Sequence, residues 1–259
     1  EGGNVEKALE LLGFAQIEAA GDCVAAIIGA GIIPGGMEMM DKPAIHATEE
    51  FVRAGYPLDS EALLIVELDG SALEVDHLIN ELENIANRLG ANYIRISKND
   101  EEREKFWAGR KAAFPAVGRI TPDYYCMDGT IPRAKLPKVL TRMAELSKKY
   151  GLDVANVFHA GDGNLHPLIM YDVNKPGELE KAATYFKGAT NIDPYFILAF
   201  KELAYVTGQL NDTKNAIKYY KQSLKIDRND EEAHQALLEL YEQTEMIPEA
   251  INQYEEIIR

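Results

Sequence analysis

Between Gly31 and Tyr171 the apolar positions switch repeatedly between a period of two and a helical period, the pattern of strands alternating with helices. Ala62–Leu68 is a short apolar run bounded by Asp59-Ser60 and Asp69-Gly70, which predicts a half-buried or buried strand. Leu73, His77, Leu78, Leu82, Ile85, Ala86 and Leu89 then recur at helical spacing, and Gly90 is placed to end that helix in the left-handed conformation. Tyr93–Ile96 reads as the next strand. Asn99-Asp100 supplies a cap, and Glu101-Glu102 first-turn acids, for a helix through about Ala113, closed by Pro115. Leu136, Val139, Leu140, Met143 and Leu146 mark a further helix. Val154–His159 and Leu165–Tyr171 predict two strands joined by a tight turn at Ala160-Gly161-Asp162-Gly163.

From Glu180 the pattern becomes continuous helix with an internal repeat. Ile192-Asp193-Pro194 and Ile226-Asp227-Arg228 lie 34 residues apart, and at the same offset Ala216 pairs with Ala182 and Ala250, Tyr220 with Phe186 and Tyr254, and Leu203 with Leu237. This periodicity resembles the tetratricopeptide repeat, in which a small residue lets paired helices approach and an aromatic one turn on fills the gap. Residues 1–13, with Gly3-Asn4-Val5 leading into Glu6–Leu12, read as a lead-in helix that also resembles the second helix of such a repeat. The predicted segments are therefore 1–13, 14–179 and 180–259. Lys201, Tyr205 and Gln235, on first helices of the repeats, are candidate peptide-binding residues, because such arrays take peptides in the groove those helices line.

The net charge of −15 is spread over the chain, with 18 basic against 28 acidic residues before Glu180 and 9 against 14 from there on. Such a surface repels phosphate backbones and anionic lipid heads, which argues against nucleic acid as a partner. The longest apolar run, Cys23–Pro34, is too short to span a bilayer, so membrane insertion is not expected. Cys23 and Cys126 form no CxxC pair or disulfide framework, which fits a reducing, cytoplasmic setting. The opening Glu1-Gly2-Gly3, without Met, reads as a fragment or a truncated product.

The stretch Phe158-His159-Ala160-Gly161-Asp162-Gly163-Asn164-Leu165-His166-Pro167 carries the most chemistry. A hairpin would bring its two histidines together as a start for a Zn²⁺, Mn²⁺ or Fe²⁺ site, with Asp162 or another carboxylate to orient or complete it. On spacing alone the competing reading is a pair of satisfied loop histidines. This stretch is similar to a motif of the vanillyl-alcohol-oxidase-like flavoenzymes, in the branch of glycolate oxidase D-subunits and FAD-linked D-lactate dehydrogenases. Further similarity runs through Gly31–Pro34 with Met37–Asp41, Ala54–Pro57, Val66–Gly70, Trp107–Phe114 and Tyr124–Arg133, about two thirds of the chain in all. The fold it implies is α+β, a ferredoxin-like antiparallel sheet with helices on one face, followed by the all-α repeats.

The resemblance implies metal ligands at His159 and His166, where a divalent ion would lower the pKa of a substrate hydroxyl. It implies at Arg110 a planar donor fork for the carboxylate of a small 2-hydroxy acid. Without the resemblance, Arg110 reads instead as an ion-pair partner of Glu102 or Glu104. Trp107 reads as packing on the sheet rather than stacking on flavin, and Cys126, where relatives acting on dicarboxylic hydroxy acids carry lysine, favours glycolate or D-lactate. Asp123, Asp128 and Glu38 read as turn or strand-edge carboxylates. No Rossmann-like or phosphate-cradling glycine loop is present to hold FAD, and the family's downstream Glu-His pair is not matched. The expectation is a partial site, inactive alone, that needs a flavin domain or an electron-transfer subunit. Two other readings stay open: a peptide-binding scaffold with an inactive oxidase-like segment, and an artificial or mis-assembled chimera, since no flexible linker marks the seam near Gly177–Leu179.

Overall fold

The computed structural model describes residues 6–192 and 194–258. The chain forms two compact units, one running to Lys149 and including Asp153–Met170, the other made of Tyr150–Leu152 and the chain from Tyr171 onward.

In the first unit β1 (Glu6–Phe14), α1 (Ile17–Gly29), β2 (Gly36–Asp41), α2 (Lys42–Val52), β3 (Ala62–Gly70), α3 (Ala72–Arg88) and β4 (Ala91–Ile96) follow in order. They build a sheet that begins β4-β1-β3-β2, antiparallel throughout, with α1 and α3 as crossovers: the ferredoxin-like arrangement. The chain continues through α4 (Asp100–Lys111), α5 (Ala113–Val117), β5 (Asp123–Cys126), β6 (Gly129–Thr130), α6 (Leu136–Tyr150), β7 (Val154–Phe158), β8 (Asn164–Leu165) and β9 (Pro167–Tyr171). The strands β7, β9 and β5 extend the sheet beyond β2 to seven, while β6 and β8 pair separately.

Helices cover both faces of this sheet, not the single face expected. Leu12, Phe14, Leu64, Val66 and Met39 pack with α1, α3 and α6 on one side. Leu9, Leu11, Leu63, Ile65 and Met40 pack with α2, α4 and α5 on the other. A central strand with apolar residues at both parities must be covered twice, which is what Ala62–Leu68 already signals. Side-chain caps start the helices where polar residues allow: Ser71 and Glu74 form a reciprocal capping box on α3, and Asn99 Oδ1 accepts from Glu102 N at 2.9 Å on α4. Gly90 ends the α3 segment with φ of 80°.

Two local expectations are corrected. Residues 6–14 are a strand, not a helix, paired with β3 along its length and with β4 on the other side. Leu9, Leu11 and Leu12 fit either periodicity, and partners on both sides decide in favour of the sheet; Gly3, Asn4 and Val5 lie outside the described residues. Pro115 does not close a helix but sits in the first turn of α5, where its missing N–H costs no hydrogen bond.

The second unit contains α7 (Glu178–Ile192), α8 (Ile197–Gln209), α9 (Thr213–Ile226), α10 (Glu231–Gln243) and α11 (Ile247–Ile258). Ala182, Ala216 and Ala250 are buried, as are Phe186 and Tyr220, while Tyr254 is half exposed and donates to Glu242 Oε1 at 2.9 Å.

Candidate functional site

The site lies where β2, α4 and the β7–β8 turn meet. Glu38 projects from β2 and is 8% exposed; Arg110, in the last turn of α4, is equally buried. Arg110 Nε donates to Glu38 Oε2 at 2.9 Å, and Nη2 stands 2.8 Å from the same oxygen but outside hydrogen-bond geometry, so this buried nitrogen remains without a hydrogen-bond partner. The other oxygen, Glu38 Oε1, is 2.8 Å from His159 Nδ1. One carboxylate thus joins the guanidinium and the imidazole.

The turn brings the second histidine in. Asn164 N donates to His159 O at 3.2 Å and His159 N to Asn164 O at 3.0 Å, closing the loop. Gly163 has φ of 70°, and a Cβ there would collide with the Ile131 carbonyl, so glycine is required at this bend. His166 follows, its ring 5.1 Å from that of His159 and nearly perpendicular to it. His166 Nδ1 lies 3.6 Å from Asp128 Oδ1, and the ring also meets Phe114 edge-on. Burial holds the His166 pKa below the usual imidazole value; Asp128 and Glu38 oppose that shift, and His159 and Arg110 add to it. The His159 side chain is 46% exposed and the His166 side chain 14%, so the pair opens to solvent on the His159 side.

Among the described residues no group of three or more His, Cys, Asp or Glu is arranged to hold a metal ion. The two imidazoles offer two donors with carboxylates near their Nδ1 atoms, short of the three protein ligands of an ordinary catalytic metal site. The residues present therefore do not by themselves fit a tightly bound ion.

Arg110 does not pair with Glu102, which binds Arg95 instead. Trp107 lies over the start of β2, where a Cβ on Gly36 would stand 3.2 Å from its ring, and Nε1 donates to Glu67 Oε2 at 2.8 Å. Glu38 is not a strand-edge carboxylate but the hub of the site, and Asp128 is the partner facing His166. The signal for Glu38 is an acid flanked by Met37 and Met39 in a strand whose next polar residue is Asp41. Lys201 is held by Asp230 at 3.1 Å and by Glu232; these bonds outweigh desolvation and raise its pKa. Gln235 donates to Glu239 at 3.0 Å, and Tyr205 is 40% exposed.

The helix that carries Arg110 is set by a close approach. A Cβ on Gly109 would stand 2.6 Å from Ala54 Cβ and would overlap the Tyr56 hydroxyl, which itself donates to Phe106 O. Gly109→Ala is expected to cost about 1–3 kcal/mol by forcing α4 away from the segment that carries Ala54 and Tyr56. Urea unfolding followed by Trp107 fluorescence checks it.

Residues 4–193 match the family described as FAD linked oxidases, C-terminal domain, and residues 202–230 match a tetratricopeptide repeat. The glycolate oxidase subunit GlcD of Escherichia coli K12 is 56% identical over 172 residues, 66% of this chain and 34% of that protein. A probable mitochondrial D-lactate dehydrogenase of Danio rerio is 26% identical over 176 residues, 66% of this chain and 35% of that protein. The chain thus spans about a third of the length of these relatives. A solved structure of p-cresol methylhydroxylase with substrate bound has the same fold, with a TM-score of 0.56 at 13% identity, covering 89% of this chain and 52% of that one.

Proposed function

The chain belongs, over residues 4–193, to the FAD linked oxidases, C-terminal domain family, and from that premise we propose that it is the substrate-side part of an FAD-dependent 2-hydroxy-acid oxidase or dehydrogenase acting on glycolate or D-lactate. The observation that carries this reading is the junction of Arg110, Glu38 and His159, with the His166 ring 5.1 Å from His159. A buried guanidinium ion-paired to Glu38 through Nε, whose Nη2 makes no hydrogen bond of its own, supports a role in holding a ligand carboxylate. The His159 and His166 imidazoles would be the groups to meet the adjacent hydroxyl. FAD would supply the hydride acceptor. A divalent cation of the Zn²⁺, Mn²⁺ or Fe²⁺ kind would find two ligands here, His159 and His166, and would need others from outside the described residues.

In this reading the chain alone binds the 2-hydroxy acid without oxidising it, and a flavin-domain or electron-transfer subunit completes the enzyme. The repeats of the second unit take a protein or peptide partner, supported by the match over residues 202–230. No helix among the described residues is long and apolar enough to cross a membrane. The free Cys23 and Cys126 fit a cytoplasmic setting. The test is calorimetric titration with glycolate and D-lactate, alongside an assay with added FAD and an artificial acceptor. Saturable binding that Arg110→Met abolishes, without turnover, is the expected result. Binding unaffected by Arg110→Met would overturn the assignment. A scaffold whose oxidase-like segment is a passenger would bind neither acid.

A further inference from the structure

We infer that Glu38 is the positioning residue of this site: it holds His159 in the tautomer with the proton on Nδ1, leaving the Nε2 lone pair to accept from a ligand hydroxyl. Its role in recognition rests on the reading above, whereas the tautomer itself follows from the contacts alone. Oε1 of Glu38 can only accept, so the nitrogen 2.8 Å away must donate, and in a neutral ring the other nitrogen is then bare. The carboxylate cannot turn away, because Oε2 is engaged by Arg110 Nε at 2.9 Å. The side chain is buried on a strand with β3 on one side and β7 on the other. The His159 ring is the more exposed of the two imidazoles, with Nδ1 turned to the buried Glu38. Glu38 therefore couples two recognition elements, since the contact that fixes the imidazole also fixes the guanidinium.

Nitrogen-15 NMR of the histidine rings tests this in the full chain, under conditions where His159 is neutral. In the wild-type protein the proton is expected on Nδ1; a proton on Nε2 overturns the proposal and requires no variant. In Glu38→Gln the amide oxygen must face Arg110, which only donates, so the amide NH₂ faces His159 Nδ1 and the proton is expected to move to Nε2. His46 and His77, away from the site, should keep their wild-type signals and report that the variant is folded. Glu38→Asp, one methylene shorter, is expected to lose the preference for Nδ1–H because it cannot span both partners. Retention of Nδ1–H in folded Glu38→Gln would also overturn the proposal. If the tautomer moves as expected while glycolate binds neither protein, the Glu38 assignment stands and the 2-hydroxy-acid reading fails.

Discussion

Replacing Glu38 by leucine is expected to destabilise the sheet unit by about 3–5 kcal/mol, because it leaves the Arg110 guanidinium buried without its counter-charge. The magnitude follows from asymmetry. A buried ion pair is worth little relative to an apolar pair of similar shape, but half of one is costly. Glu38→Leu combined with Arg110→Met is therefore expected to recover most of the loss. The pair of variants separates an electrostatic cost from a packing cost, since the double variant disturbs the core volume at least as much as the single one. Urea unfolding followed by Trp107, the only tryptophan and a residue of the same unit, reads both. A loss below about 1 kcal/mol in the single variant would place the pair in a solvated setting of the surface type.

A second large effect is expected far from the site. Glu10 lies on β1, 1% exposed, on the side packed by α1 and α3, and neither carboxylate oxygen has a hydrogen-bond partner. Burial, with Glu83 adding, raises its pKa from 4.5 to about 8, and the neighbouring Cys23 thiol is pushed up to about 12 by burial and by Glu10. Between those two carboxyl values the folded protein keeps a proton that the unfolded chain releases. Stability from this residue is therefore full below pH 4.5, falls as pH rises towards 8, and is level above. Glu10→Met removes the titration and keeps an apolar side chain of similar length. Above pH 8 it is expected to raise stability by roughly 4 kcal/mol and to flatten the pH dependence across that window. An unchanged slope in Glu10→Met would show that Glu10 is not the group responsible.

Strands and helices with one unambiguous period were legible from the sequence: Ala62–Leu68, the helix ending before Gly90, and the helices that bury Ala182, Ala216 and Ala250. Residues 6–14 were not, because Leu9, Leu11 and Leu12 satisfy two periods and only the partners β3 and β4 choose between them. The second helical layer was missed for a related reason: α2, α4 and α5 join an apolar face whose extent depends on a seven-stranded sheet not visible locally. His159, His166 and Arg110 could be named from motifs. What joins them could not, since Glu38 lies 72 residues from Arg110 and 121 from His159, and an acid in a strand reads as an edge residue until its long-range partners are known.

Side-chain NMR during titration with glycolate reads the Arg110–Glu38–His159 junction itself, because the chain carries five histidines and only His159 and His166 lie at the candidate site. The ring signals of His159 and His166 and the Nε–H signal of Arg110 are expected to shift together and saturate at one concentration, while His46, His77 and His234 stay fixed. Shifts that begin at those three histidines, or an Arg110 signal that stays still while His159 moves, would contradict the assignment.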